Sequence, residues 1–155
     1  MFRRTALLAT AAAAAALFLT PAANAESGHN LDAYLIRGND LPWDLDGWVA
    51  SPGHSFEFNV AVINTGGQDD IDLSVFVSVP FEVTGYRGEG WDCWDVDGGV
   101  KCSIPDLVVD EEQWPVLTIE AVAGPDLLDD SIDVYVDSRH GDVHAGVGFK
   151  VREAG

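Results

Sequence analysis

From Leu31 to Val151 the chain alternates apolar and polar residues with a period of two. That pattern restricts it to half-buried β-strands. Leu31, Ala33 and Leu35 alternate with Asp32, Tyr34 and Ile36, and Phe56, Phe58, Val60 and Val62 with Glu57, Asn59 and Ala61. The same period runs through Ile71 to Val77, Leu117 to Ala121, Ile132 to Val136 and Val143 to Val151. No stretch in this region keeps a 3.6-residue apolar period for three turns, so helix is expected for a turn or two at most.

Turn chemistry separates the runs. Ser51-Pro52-Gly53, Asn64-Thr65-Gly66-Gly67, Asp97-Gly98-Gly99, Gly124-Pro125-Asp126 and His140-Gly141-Asp142 supply glycines for positive φ or prolines with a preset φ. Short strands with glycine-rich turns predict a sandwich or barrel. Asn39 to Gly47 reads as a long connection, because Pro42 and the acids resist strand pairing. No second domain boundary is visible.

Met1 to Ala25 differs in kind. Arg3-Arg4, an apolar run from Ala6 to Leu19, the Pro21 breaker and Ala23-Asn24-Ala25 predict a cleaved export signal over residues 1–25. Residues 26–155 are then a single domain, with Glu26 to Asn30 as a loose leader. Cleavage removes two basic residues and none of the 26 acidic ones, which takes the formal charge from −18 to −20. Phosphates of nucleic acid and anionic lipid repel such a chain. No run of transmembrane length follows Ala25. The expected location is secreted and extracellular, at most loosely associated with the cell wall, and the expected state is a monomer.

Export makes a disulfide the natural use of two cysteines. Gly90 to Cys102 reads as a hairpin turning at Asp97-Gly98, which sets Cys93 and Cys102 opposite each other on neighbouring strands. Closing so small a loop restricts the unfolded chain by roughly 2.5–3 kcal/mol. The five tryptophans, Trp43, Trp48, Trp91, Trp94 and Trp114, are divided between packing and contact with a partner. Trp91 and Trp94, three apart, point to opposite faces of one strand. The exposed members of the five are the candidate contacts.

Other chemistry is sparse. Asp44-Leu45-Asp46-Gly47 and Asp95-Val96-Asp97-Gly98 each match a fragment of a calcium loop. The ligands two positions earlier and the closing Glu are missing, so Asp44, Asp46, Asp95 and Asp97 are weak metal candidates. His140, Asp142 and His144 would form a ligand row on a continuous strand, but Gly141 breaks it. No nucleophile motif or phosphate-binding loop occurs. No cofactor is expected.

Two stretches together resemble a known family. Ser51-Pro52-Gly53-His54-Ser55-Phe56-Glu57-Phe58-Asn59-Val60-Ala61-Val62-Ile63-Asn64-Thr65-Gly66 is similar to the pattern P-G-x-x-h-x-h-x-V-x-V-x-N-x-G, with h apolar. Gly90-Trp91-Asp92-Cys93 with Val100-Lys101-Cys102, followed by a strand from Val116 to Val122, resembles a G-W-x-C…V-x-C hairpin. Both occur in bacterial Ig-like "conserved repeat" domains, a family without an assigned function. Val79-Pro80-Phe81-Glu82-Val83 sits where that family carries a turn. Those domains usually recur within long wall-anchored proteins, whereas this chain reads as one copy without an anchor. A stalk role is therefore not expected.

The resemblance implies extracellular, non-enzymatic use and carries over no catalytic residue. The expectation is an all-β, Ig-like antiparallel β-sandwich of about seven to nine strands with one disulfide-closed hairpin. Its expected use is a non-catalytic interaction module binding a cell-surface protein or glycan. The alternatives are an acidic sandwich that binds calcium or another cation, and, third, a small secreted hydrolase.

Overall fold

The structure, a computed structural model, describes residues 24–27 and 30–153. In chain order the strands are β1 (Asn24–Ser27), β2 (Leu31–Arg37), β3 (Trp43–Asp44), β4 (Gly47–Ala50), β5 (Ser55–Asn64) and β6 (Leu73–Ser78). They continue as β7 (Glu82–Arg87), β8 (Asp92–Val96), β9 (Gly99–Ile104), β10 (Leu117–Val122), β11 (Leu128–Asp137) and β12 (Asp142–Val151). No helix occurs among the described residues. Nine strands have five or more residues, the upper end of the expected number. The short β1, β3 and β4 are additional.

The strands form two sheets, ordered β1-β2-β5-β10-β7 and β3-β4-β12-β11-β6-β9-β8. This is the sandwich the alternation predicts. One pairing departs from the antiparallel expectation: β4 runs parallel to β12, from Trp48↔Phe149 to Ala50↔Val151. β4 enters from a hairpin with β3, and that sets its direction. The expected long connection from Asn39 to Gly47 is thus partly strand.

Two further expectations shift. Residues 1–23 of the expected signal lie outside the described residues, while Asn24 and Ala25 open β1. β1 pairs with β2 from Asn24↔Leu35 to Ser27↔Asp32, so Glu26 and Ser27 are paired rather than loose. The segment Glu82–Val83 belongs to β7, which pairs with β10 around a bulge at Glu120/Ala121.

The inward phase of each sheet fills the space between the layers. Leu31, Ala33 and Leu35 in β2 are buried, as are Phe56, Phe58, Val60 and Val62 in β5. Val75 and Val77 in β6 and Ile132, Val134 and Val136 in β11 face them from the other sheet. Phe56, Phe81 and Phe149 meet edge-on or stacked, with centroids 4.9–5.5 Å apart. Buried polar groups at one end are satisfied, as they must be. The Asn64 amide donates to the carbonyls of Gln68 and Val108, and the Ser138 hydroxyl donates to Asp70 at 2.5 Å.

Candidate functional site

The outward phases of five strands align into one row. The register pairs Trp94 with Lys101, Lys101 with Phe76, Phe76 with Tyr135, and Tyr135 with His144. The row crosses β8, β9, β6, β11 and β12. At about 4.8 Å per strand it is about 19 Å long. It lines a shallow concavity of about 620 Å³ on the outer face of the seven-stranded sheet. Trp94 and Tyr135 are 45% and 50% exposed.

Ring orientation decides what the row presents. Phe76 and Tyr135 stack with centroids 6.0 Å apart and 17° between planes. Tyr135 and His144 stack at 4.7 Å and 26°. At 4.7 Å the Tyr135 and His144 rings overlap with an offset, whereas at 6.0 Å the Phe76 and Tyr135 rings lie nearly parallel with little overlap. His144 is fixed from the other side by Asp133, 2.9 Å from Nε2.

Polar rows flank the stack. The register aligns Asp92, Ser103, Ser74, Asp137 and Asp142 on one side. Asp137 and Asp142 are direct cross-strand partners, a like-charge opposition that costs stability. The opposite face of the molecule is different in character. On the five-stranded sheet Arg87 bridges Glu57 and Glu120 at 3.0 and 2.9 Å, and those carboxylates raise its pKa further. Beside them Thr118 donates to Asn59 at 2.6 Å.

The tryptophans divide sharply. Trp48 and Trp114 are fully buried and cannot contact a partner, which corrects their place among the candidates. Trp48 shares the inward face with Phe149 and meets Phe58 at 5.7 Å, and Trp114 donates Nε1–H to the Asp106 carbonyl at 3.0 Å. Trp91 is half-buried, held by a 2.7 Å bond to the Pro115 carbonyl. Trp91 packs on the core from just before β8, so the two do not lie along one strand, and Trp94, within β8, is exposed. Trp43 is exposed, but on β3, at the sheet edge opposite Trp94 on β8.

Cys93 and Cys102 are bonded and stand directly opposite in the β8–β9 register, turning through Asp97-Gly98 with Gly98 at φ +79°. The weak metal candidates are otherwise employed or apart. Lys150 lies 2.9 Å from Asp46, and Arg152 lies 3.3 Å from Asp44. The hydrogen bond from Lys150, then its charge, holds the Asp46 carboxyl below its ordinary pKa. Asp95 and Asp97 are exposed near the β8–β9 turn. Among the described residues no three His, Cys, Asp or Glu side chains converge as a metal site would need.

Ser131, Asp133 and His144 are linked, but in an order unsuited to acyl transfer. Ser131 donates to Asp133 at 2.6 Å, and Asp133 contacts His144. The carboxylate sits between hydroxyl and imidazole, so the base does not reach the nucleophile.

Sequence reasoning found Trp94 but missed Phe76, Tyr135 and His144 as a unit. A signal was present. Phe76 falls in phase with Ser74 and Ser78, and Tyr135 with Asp133 and Asp137, so each places an aromatic ring in the polar phase of its strand.

No family model matches the chain, and no curated protein does. Among solved structures the chain is similar in fold to a non-cellulosomal cohesin from the archaeon Archaeoglobus fulgidus. The match has a TM-score of 0.47 and 12% identity, and covers 68% of this chain and 86% of that one. It is also similar to a cohesin module of a Clostridium perfringens family 33 glycoside hydrolase, at 0.48 and 12%, covering 76% and 98%. A third is the cohesin–dockerin complex Coh-OlpA-Doc918 from Clostridium thermocellum, at 0.47 and 14%, covering 79% and 99%.

Proposed function

We propose that this chain is a non-catalytic, secreted interaction module that binds a protein partner through the outer face of its seven-stranded sheet. The observation that carries this reading is the exposed row Trp94–Lys101–Phe76–Tyr135–His144. Exposed aromatic residues in one contiguous patch mark contact surfaces, and Trp and Tyr dominate their energetics. The stack favours protein over glycan. Tyr135 and His144 cover part of each other's facing ring surfaces, which leaves less open ring for the C–H face of a sugar, while a protein partner can use the Lys101 ammonium and the flanking carboxylates as well as the rings.

Export through residues 1–25, an extracellular location and kinship with the Ig-like repeat domains belong to the same proposal. The supporting features are the signal-like leader, the disulfide and the two resembling stretches. They fall on the β5 segment and the β8–β9 hairpin. Secreted protein whose mass begins at Glu26 supports the export reading.

The binding test is retention from the producing cell's envelope and culture fluid on immobilised protein. A protein retained by the wild type and reduced about tenfold by Tyr135→Ala or Trp94→Ala supports the reading. Retention of polysaccharide alone, or protein retention that neither substitution changes, overturns it.

A further inference from the structure

The sequence has six basic residues beyond the expected signal: Arg37, Arg87, Lys101, Arg139, Lys150 and Arg152. Five are committed within the fold. Arg87 bridges Glu57 and Glu120, Arg139 pairs with Asp72 at 3.1 Å, and Lys150 and Arg152 hold Asp46 and Asp44. Arg37 donates to the carbonyls of Gly38 and Leu41. Lys101 stands in the aromatic row with no ion pair among the described residues.

The carboxylates beside the row are left without cations. Asp137 and Asp142 oppose each other across the β11–β12 register, and Asp92 closes the same polar row; all three are exposed. None makes an ion pair among the described residues. Resting on the protein-binding reading above, we infer that the partner is a basic protein surface. It has an apolar centre that packs on Phe76 and Tyr135 and lysine or arginine side chains that meet Asp137, Asp142 and Asp92. A second copy of this chain does not fit, because it would set the same acids against each other. Such rim charges act mainly through encounter rate and salt dependence, while the centre supplies most of the affinity.

The test is an NMR titration of the secreted protein with two synthetic peptides sharing a Leu-Tyr-Leu core. One is flanked by arginines, the other by glutamates. The arginine peptide is expected to shift the amides of Phe76, Lys101, Tyr135 and His144. Its binding should weaken several-fold between low and high salt. The double variant Asp137→Asn/Asp142→Asn should bind it about tenfold more weakly while melting no lower than wild type, because a like-charge opposition is relieved. Equal binding of the glutamate peptide at this face overturns the charge inference and leaves the protein-binding reading standing. Arginine-peptide shifts centred on the acidic loops 69–72 and 110–112 also overturn it. If neither peptide moves the face residues, both readings fall.

Discussion

The Lys150 ammonium lies 2.9 Å from the Asp46 carboxylate, joining β12 to the tip of the β3–β4 hairpin. By register Lys150 points outward, yet it is only 6% exposed. The hairpin tip folds over it. β4 is seated by its parallel pairing with β12 and by the buried Trp48, and this ion pair and the Arg152–Asp44 pair hold the two-residue β3 and the hairpin tip against it. The arrangement also explains why an Asp-x-Asp-Gly segment is a clasp here: its carboxylates face two of the chain's few cations.

The clasp should be pH-dependent. Lys150 holds the Asp46 carboxyl below its ordinary pKa, so the folded state favours the ionised form. That contribution is complete above the ordinary carboxylate range and is lost as pH falls through it towards the lowered value. Melting temperatures of wild type and Asp46→Asn should differ most at pH 5 and above and converge below about pH 4. Because Asp46 is solvent-facing, the gap should shrink in high salt. A gap independent of pH would show that the ion pair does not position the hairpin.

Close approach of the hairpin requires glycine at position 148. A Cβ there would collide with the Asp46 carbonyl oxygen, and one at Gly47 would collide with the Gly148 carbonyl. Gly148→Ala should therefore lift the tip and cost about 1–3 kcal/mol in urea unfolding. Gly53→Ala is the control for backbone strain alone, since a Cβ there meets nothing while φ is +74°. A smaller loss for Gly148→Ala than for Gly53→Ala would refute the close-approach argument.

The disulfide should act through the unfolded chain. Cys93 and Cys102 are nine apart in sequence, and the entropy of closing so small a loop corresponds to about 2.5 kcal/mol. The Cys93→Ala/Cys102→Ala variant should lose about that much in urea unfolding. An unchanged midpoint and slope would mean that the unfolded chain already keeps this hairpin closed through the Asp97-Gly98 turn.

The strands that could be read in advance are those with one wet and one dry face. β2, β5, β10, β11 and β12 bury alternate residues, and their apolar phase shows it. β7 could not be read in this way. It is an edge strand whose inner face is only half-buried, at Val83 and Gly85, so Glu82–Arg87 carries little apolar alternation. β6 starts at Leu73 rather than Ile71 because Asp72, at φ +61°, turns the chain there. The row that forms the candidate site was partly legible as aromatic residues in polar phase. Its assembly depends on the register across five strands, which pairs Phe76 with residues 25 and 59 positions away and which no local pattern carries.

Burial separates the tryptophans by energy as well as by role. Trp94→Ala should cost no more than about 1 kcal/mol, because nearly half of its surface is exposed and it lies outside the core. Trp48→Ala and Trp114→Ala should each cost about 3–5 kcal/mol. A finer contrast tests the hydrogen bonds. Trp114 donates to the Asp106 carbonyl, whereas the buried Trp48 Nε1 has no partner among the described residues. Replacement by phenylalanine removes similar volume at both sites, but only Trp114→Phe leaves a carbonyl unpaired. Trp114→Phe should therefore cost about 1 kcal/mol more than Trp48→Phe in urea unfolding. The reverse order would mean that the Trp48 N–H finds a hydrogen-bond acceptor in solution, and its indole would then have to reach water or a carbonyl that the packing beside Phe58 does not provide.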